Sequence, residues 1–262
     1  MRLDAATWGI VWPALLAGLL VTATHVPLGI QVLKRGIVFI DLAVAQIAGL
    51  GVIVADRLGF EPQGAAVQIA ALGAALGGAL LLNWTDKRWP EVQEAVIGVT
   101  FIVAANAAIL LLATNPHGAE NLKDLLVGQI LWAEPRKLAL VAVLYAAILA
   151  LWFGLGERAG RISERWYGRF YVLFACAVTA SVQLVGVYLV FTTLIVPALA
   201  TRALERRRIL AGYGLSAAAY AVGLGLSLIS DMPPGPLIVC VMTACGLVLF
   251  LSSGPRAAKR GD

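Results

Sequence analysis

The chain has 262 residues, 60% of them hydrophobic and only 13% charged, with a mean hydropathy of +0.87 and a net charge of +5. Soluble domains carry about a quarter charged residues, so this composition excludes a soluble globular protein and predicts a polytopic membrane protein. The excess positive charge lies in short loops and builds no basic, aromatic-studded face, which fits anionic headgroups and membrane topology and excludes nucleic acid.

The N-terminal MRLDAATW lacks the strongly basic stretch of a cleaved signal, so the first apolar run reads as a retained span. A helix needs about 20 apolar residues to cross hydrocarbon. The stretches 8–25, 36–55, 64–83, 94–114, 137–155, 168–183, 185–201, 209–230 and 234–252 are candidates. The sixth and seventh together cover 168–202, too long for one span and short for two. Gln183 and Gly186 mark the expected break, and eight spans is the alternative if that run is one bent helix. The expected fold class is all-α, a membrane helix bundle of eight or nine segments in a single transmembrane domain over 1–262.

Loop charge favours nine. With the C-terminus inside, the inner loops hold Lys34 and Arg35, Lys87 and Arg88, Arg158, Arg161, Arg165 and Arg169, and then Arg202 to Arg208. That is the positive-inside pattern. With eight spans the arginine-rich 156–169 loop would face outward.

Two features punctuate the middle of the chain. In the third segment Gly73 and Gly77 stand at a GxxxG spacing, which suits close helix packing, within one subunit or across a dimer. The longest connection, 115–136, places Leu122, Leu125, Leu126 and Ile130 on one helical face between Pro116 and Pro135, so a short interfacial helix is expected. Near the C-terminus, SDMPPGP reads as a tight turn. Cys176, Cys240 and Cys245 lie in apolar segments without a CxxC pair and read as buried packing residues. His25 and His117 both read as lying near segment ends.

The stretch Ser181 to Arg208 is the most distinctive. Val182 to Leu199 contains no Asp, Glu, Lys, Arg or His, Pro197 predicts a helix break, and Arg202, Arg206, Arg207 and Arg208 then surround the single acid Glu205. GxxxxGK[ST], HExxH and GxSxG are all absent, so neither nucleotide binding through a P-loop nor those hydrolytic chemistries is expected. The chain reads as a non-enzyme with no permanently bound cofactor.

Asp41 carries the strongest functional signal. Counted from Gly36, it lies about a turn and a half inside the second segment. An acid at that depth is costly and usually lines a polar cavity. The alternative is an acid close enough to the helix start to reach water and favour the dipole. Gln46 sits about 140° further round the helix. Gln68, Asn106, Gln183, Thr192 and Thr193 are the other uncharged polar groups at depth. Any one of them reads first as an interhelical hydrogen bond, with Asn106 the next candidate for a pathway.

Five stretches then form a pattern. They are LKRGIVFIDLAVAQIAGLGVIVA, EAVIGVTFIVAANAAILLL, DLLVGQILWAEPRKL, VQLVGVYLVFTTLIVPALATRAL and DMPPGPLIV. In this order they resemble the membrane subunit of ABC transporters for divalent metals, the zinc/manganese permease family, over nearly the whole chain. Asp41 matches the family's second-helix Asp. The family's His four residues later falls at Ala45, and Gln46 meets it only when the match is anchored on Gly51. The Asp of the family's Gly-Asp-Ile-Leu run is Gln129, and the loop before segment six is shorter than usual.

The resemblance implies a permease subunit of an ATP-driven importer with a divalent metal ion as transported substrate. It implies a homodimer in the bacterial cytoplasmic (inner) membrane, two separate ATPase subunits, and a periplasmic or lipid-anchored metal-binding protein. Asp41, Gln46 and Asn106 would line an oxygen-only metal path, which suits manganese better than zinc. Arg202, Glu205, Arg206, Arg207 and Arg208 would couple to the ATPase; plain positive-inside anchoring is the other reading of that charge. The rival function is an ion-coupled secondary transporter or channel without an ATPase, which predicts inverted repeats and internal acid–base pairs.

Overall fold

A computed structural model describes residues 5–61, 64–112, 123–124, 126–156, 164–204 and 207–253. Among these residues the chain is helical, with no strand. The helices are α1 (Ala5–Arg35), α2 (Ile40–Arg57), α3 (Ala65–Arg88), α4 (Gln93–Leu112), α5 (Pro135–Gly156), α6 (Glu164–Val185), α7 (Val187–Ala200), α8 (Arg208–Ser230) and α9 (Pro234–Ser253). Short 3-10 turns cover Pro90–Val92 and Ile130–Trp132. Seven helices are long and apolar enough to cross a membrane. The other two are α2, whose 18 residues include Asp41, Asp56 and Arg57, and α7, whose 14 residues would span only ~21 Å. The fold is an all-α polytopic membrane bundle.

The helices stand where the nine apolar stretches stand, with three differences that have physical causes. First, α1 does not stop at residue 25 but runs 31 residues to Arg35, with Pro13 and Pro27 inside it. Pro27 has no N–H, so the carbonyl of Ala23 loses its helical donor. The hydroxyl of Tyr213 on α8 donates to that carbonyl at 3.0 Å. A neighbouring helix thus supplies what proline removed, which is what hydrocarbon requires. Second, α2 begins at Ile40 instead of residue 36, because Gly36 has a φ of +72° and the chain turns before the helix starts. Third, α7 is not broken at Pro197. It continues to Ala200, three residues past the proline, so the lost bond to the Thr193 carbonyl does not end the helix. The break lies at Gly186, with φ +82°, between α6 and α7.

The chain forms two compact units. The first comprises residues 1–35, 127–146 and 184–262 and holds α1, the first half of α5, α7, α8 and α9. In it α1 packs on α7 and α8, and α9 packs on both of those. Small residues set the close approaches: Gly29 faces the Leu194 backbone, Gly18 faces the Tyr220 ring, Gly212 faces Val26 and Gly223 faces Ile238. Gly128 (φ +73°) and Gly186 abut backbone to backbone, so that a Cβ on either would run into main-chain atoms of the other stretch. The two Val-Gly dipeptides at 127–128 and 185–186 therefore meet in space.

The second unit comprises residues 36–126 and 147–183, and in it α2 packs against α3 and α4. Gly51 approaches the Ala70 carbonyl and Gly78 approaches Ile47. The predicted pair behaves differently: nothing lies within 4 Å of a Cβ on Gly73 or Gly77. Packing within the subunit thus uses Gly78, the next residue along. A buried polar knot ties α3 to α4. Gln93 donates to the Leu82 carbonyl at 2.9 Å, and Thr85 donates to the Gln93 side-chain oxygen at 2.9 Å. The predicted interfacial helix falls largely outside the described residues, although Ile130 is buried and Trp132 is 76% exposed. Cys240 and Cys245 are exposed on α9 and not buried, because they lie on its outward side.

Two stability effects follow. Tyr213→Phe strands the Ala23 carbonyl in an apolar setting and should cost about 1 kcal/mol, read as a lower thermal midpoint in detergent. Gly186→Ala adds a Cβ at a positive φ against backbone and should be more damaging than Tyr213→Phe. A Gly186→Ala protein that melts with the wild type would refute the crossing.

Candidate functional site

Ten of the 18 residues of α2 are buried: Ile40, Asp41, Ala43, Val44, Ala45, Gln46, Ala48, Gly49, Ile53 and Ala55. Eight of these lie in its first ten residues, so that half is enclosed on all sides. This explains how Asp41 (0% exposed) and Gln46 (5% exposed), about 140° apart, are both interior. Asp41 stands in the first turn of α2, nearer the helix start than the count from Gly36 suggested. Its position favours the dipole, yet its burial denies it water. Neither carboxylate oxygen has a hydrogen-bond partner.

A second acid serves the same helix end. Glu94, in the first turn of α4, accepts the backbone N–H of Phe39 at 3.3 Å, while its other oxygen is buried without a partner. Sequence reasoning missed Glu94, because an acid in the first turn of a helix is ordinary in itself. At the other end of the helix pair, an Arg57 guanidinium N–H donates to the Leu111 carbonyl in the last turn of α4.

Asn106 does not join Asp41 and Gln46 in the interior. It lies on the exposed side of α4 with Ile102, Val103 and Leu110, and its amide donates to the Ile102 carbonyl at 2.8 Å. Among the described residues no group of three or more His, Cys, Asp or Glu gathers as a metal centre. What α2 offers is one unpaired carboxylate and one amide in an enclosed apolar setting.

His25 is also unlike its sequence expectation. It is not near a segment end but well inside α1, and it is 0% exposed. The extension of α1 through Pro27 puts it there. Sequence reasoning passed it over because Pro27 and Gly29 look like the end of a helix. His117 lies outside the described residues.

The arginine cluster divides by task. Arg202 stacks its guanidinium over the Phe250 ring at 4.2 Å, and Arg208 donates to the Ala198 carbonyl at 3.0 Å. That carbonyl is one of the last four of α7, which have no intrahelical donor. Thr201 adds a cap, its hydroxyl donating to the Pro197 carbonyl at 2.7 Å. Arg207 is exposed, while Glu205 and Arg206 lie outside the described residues.

A model of the ABC 3 transport family matches residues 8–156 and 160–253. The chain belongs to the ABC 3 transport family. Among curated relatives it is 24% identical over 251 residues to a "Probable metal transport system membrane protein" of Chlamydia muridarum, with 89% of this chain and 85% of that one covered. A protein of the same description from Chlamydia trachomatis is 23% identical over 270 residues, covering 95% of this chain and 91% of the relative. The fold is similar to a solved structure described as PsaBC from Streptococcus pneumoniae in complex with Fab. There the TM-score is 0.73 at 21% identity, with 91% of this chain and 90% of that one covered. For a member of a transport family, an unpaired buried carboxylate in an enclosed helix is a candidate point of contact with cargo.

If Asp41 serves cargo and not folding, its removal should not weaken the protein. Asp41→Asn replaces a buried carboxyl that has no partner with a neutral amide of the same shape, so no protein contact is lost. The variant should melt at or above the wild-type temperature. A drop worth more than about 1 kcal/mol would mark Asp41 as structural.

Proposed function

We propose that this chain is the permease subunit of an ATP-driven ABC importer for divalent metal ions of the zinc or manganese class. Membership of the ABC 3 transport family carries the reading. The printed names of the two chlamydial relatives support metal as the cargo. Asp41 supplies the chemistry, since a carboxylate with no protein partner can exchange its own desolvation for a cation.

Two copies form the pathway in the bacterial inner membrane, and a periplasmic or lipid-anchored protein delivers the ion. ATP hydrolysis belongs to separate ATPase subunits, so the chain itself is not an enzyme and holds no permanent cofactor. Asp41 is the principal contact with the ion, and Gln46 is the nearest polar group on the same helix. Asn106, exposed in the single chain, belongs to this path only if the second copy covers it. The loop from Arg202 to Arg208 meets the ATPase. Among its described residues, Arg207 is exposed, whereas Arg202 and Arg208 are engaged on Phe250 and Ala198.

Proteoliposomes containing the chain and its ATPase partner should accumulate Mn2+ or Zn2+ only with ATP. Asp41→Asn should reduce that uptake at least about tenfold while the complex stays intact. Uptake driven by an ion gradient without ATPase would mark an ion-coupled carrier or channel instead. Reversing Arg206 and Arg207 to Glu should release the ATPase on co-purification. Retention of the ATPase together with normal transport would reduce that cluster to membrane anchoring.

A further inference from the structure

The first unit contains a buried imidazole that no fold requirement explains. His25 Nδ1 lies 3.0 Å from the Val21 carbonyl and 3.0 Å from Thr24 Oγ1. A carbonyl has no proton to give, so the Nδ1 nitrogen carries the hydrogen. Nε2 therefore presents a bare lone pair. It is buried, and no group among the described residues donates to it. A backbone carbonyl holding Nδ1–H and aiming Nε2 outward is the arrangement that orients histidine ligands in metal sites.

The surroundings of Nε2 follow from helix register. Gly18, Thr22, His25 and Gly29 fall within about 60° of one another around α1. Gly18 meets Tyr220 of α8, and Gly29 meets Leu194 of α7. Thr22 and His25 thus face the same two helices. On α8, Gly212 meets Val26 and Tyr220 meets Gly18, so α8 runs against α1 and Ser216 comes opposite Thr22. Thr22 Oγ1 and Ser216 Oγ are both buried, and both lack a hydrogen-bond partner. Beside them, Thr193 donates to the Leu189 carbonyl at 2.7 Å and lies 2.9 Å from the Tyr220 hydroxyl. With the Thr193 proton committed, Tyr220 donates to Thr193 and keeps its own oxygen lone pairs free.

We propose that His25 Nε2, with the oxygens of Thr22, Ser216 and Tyr220, forms a second cation site inside the first unit, and that it takes a divalent transition-metal ion. The inference rests on the permease reading and deepens it by placing a nitrogen ligand on α1. One imidazole among hydroxyls binds weakly enough to release, as a step on a path requires. It also moves the donor set away from oxygen alone, toward ions that accept imidazole such as Zn2+ and Co2+.

The chain has only two histidines, His25 and His117, which makes the test direct. The full chain is purified without a polyhistidine tag, with 15N-histidine and His117→Gln, so that His25 is its sole imidazole. Co2+ and Mn2+ serve as probes, Co2+ for affinity by its visible absorption and Mn2+ for pulsed EPR. The expected result is 15N coupling to bound Mn2+ and a Co2+ affinity that falls about tenfold or more in His25→Gln. The EPR measurement needs no variant at His25, so it stands even if His25→Gln folds poorly. Metal binding that shows no 15N coupling and is unchanged in His25→Gln would overturn the site and leave the permease reading intact, with Nε2 satisfied by water alone. Absence of any divalent-metal binding by the chain, joined to absence of ATP-driven metal uptake by the complex, would overturn both.

Discussion

A backbone carbonyl inside hydrocarbon has no water to turn to, and this constraint organises the molecule. Several irregular points among the described helices are answered from within the protein. Proline at position 27 frees the Ala23 carbonyl, and Tyr213 takes it up. The end of α7 frees the carbonyls of Pro197 and Ala198, and Thr201 and Arg208 take them up. The end of α4 is met by Arg57, and the start of α2 by Glu94. Glycines at 128 and 186 let two irregular stretches touch through their backbones, where side chains would hold them apart.

Against that background the unanswered groups stand out. Asp41, His25, Thr22 and Ser216 are buried polar residues with atoms that no part of the protein satisfies. In a chain that answers its backbone so consistently, such atoms are costly for stability. They have a physical rationale if a passing ion satisfies them. Asp41 offers charge from an enclosed helix, and His25 offers a nitrogen lone pair fixed by its tautomer. In the proposed permease, an imidazole on α1 would add a nitrogen ligand, which α2 does not carry.

Much of the fold was legible in the sequence because lipid leaves few options. Runs of apolar residues located the helices. Gly186 marked the break between α6 and α7. The misreadings share a cause. Pro27 and Gly29 are local signals of a helix end, and tertiary partners overrode them. Tyr213 rescues α1 from a residue 190 positions away, which no local pattern reveals. His25 was misplaced for the same reason. Gly73 and Gly77 matched a packing motif, yet a motif states only that close approach is possible, and Gly78 makes the contact. The enclosure of Asp41 was legible because an acid in an apolar run has few explanations, whereas Asn106 could not be assigned a face from its type alone.

Whether Asp41 is held unpaired for the sake of cargo is decided by metal-dependent ATP hydrolysis in the reconstituted complex of this chain with its ATPase. Mn2+ or Zn2+, supplied on the delivery side, should raise hydrolysis by the wild type and leave Asp41→Asn at its basal rate. Equal stimulation of both would contradict a role in cargo, since the carboxylate would then take no part in sensing or passing the ion.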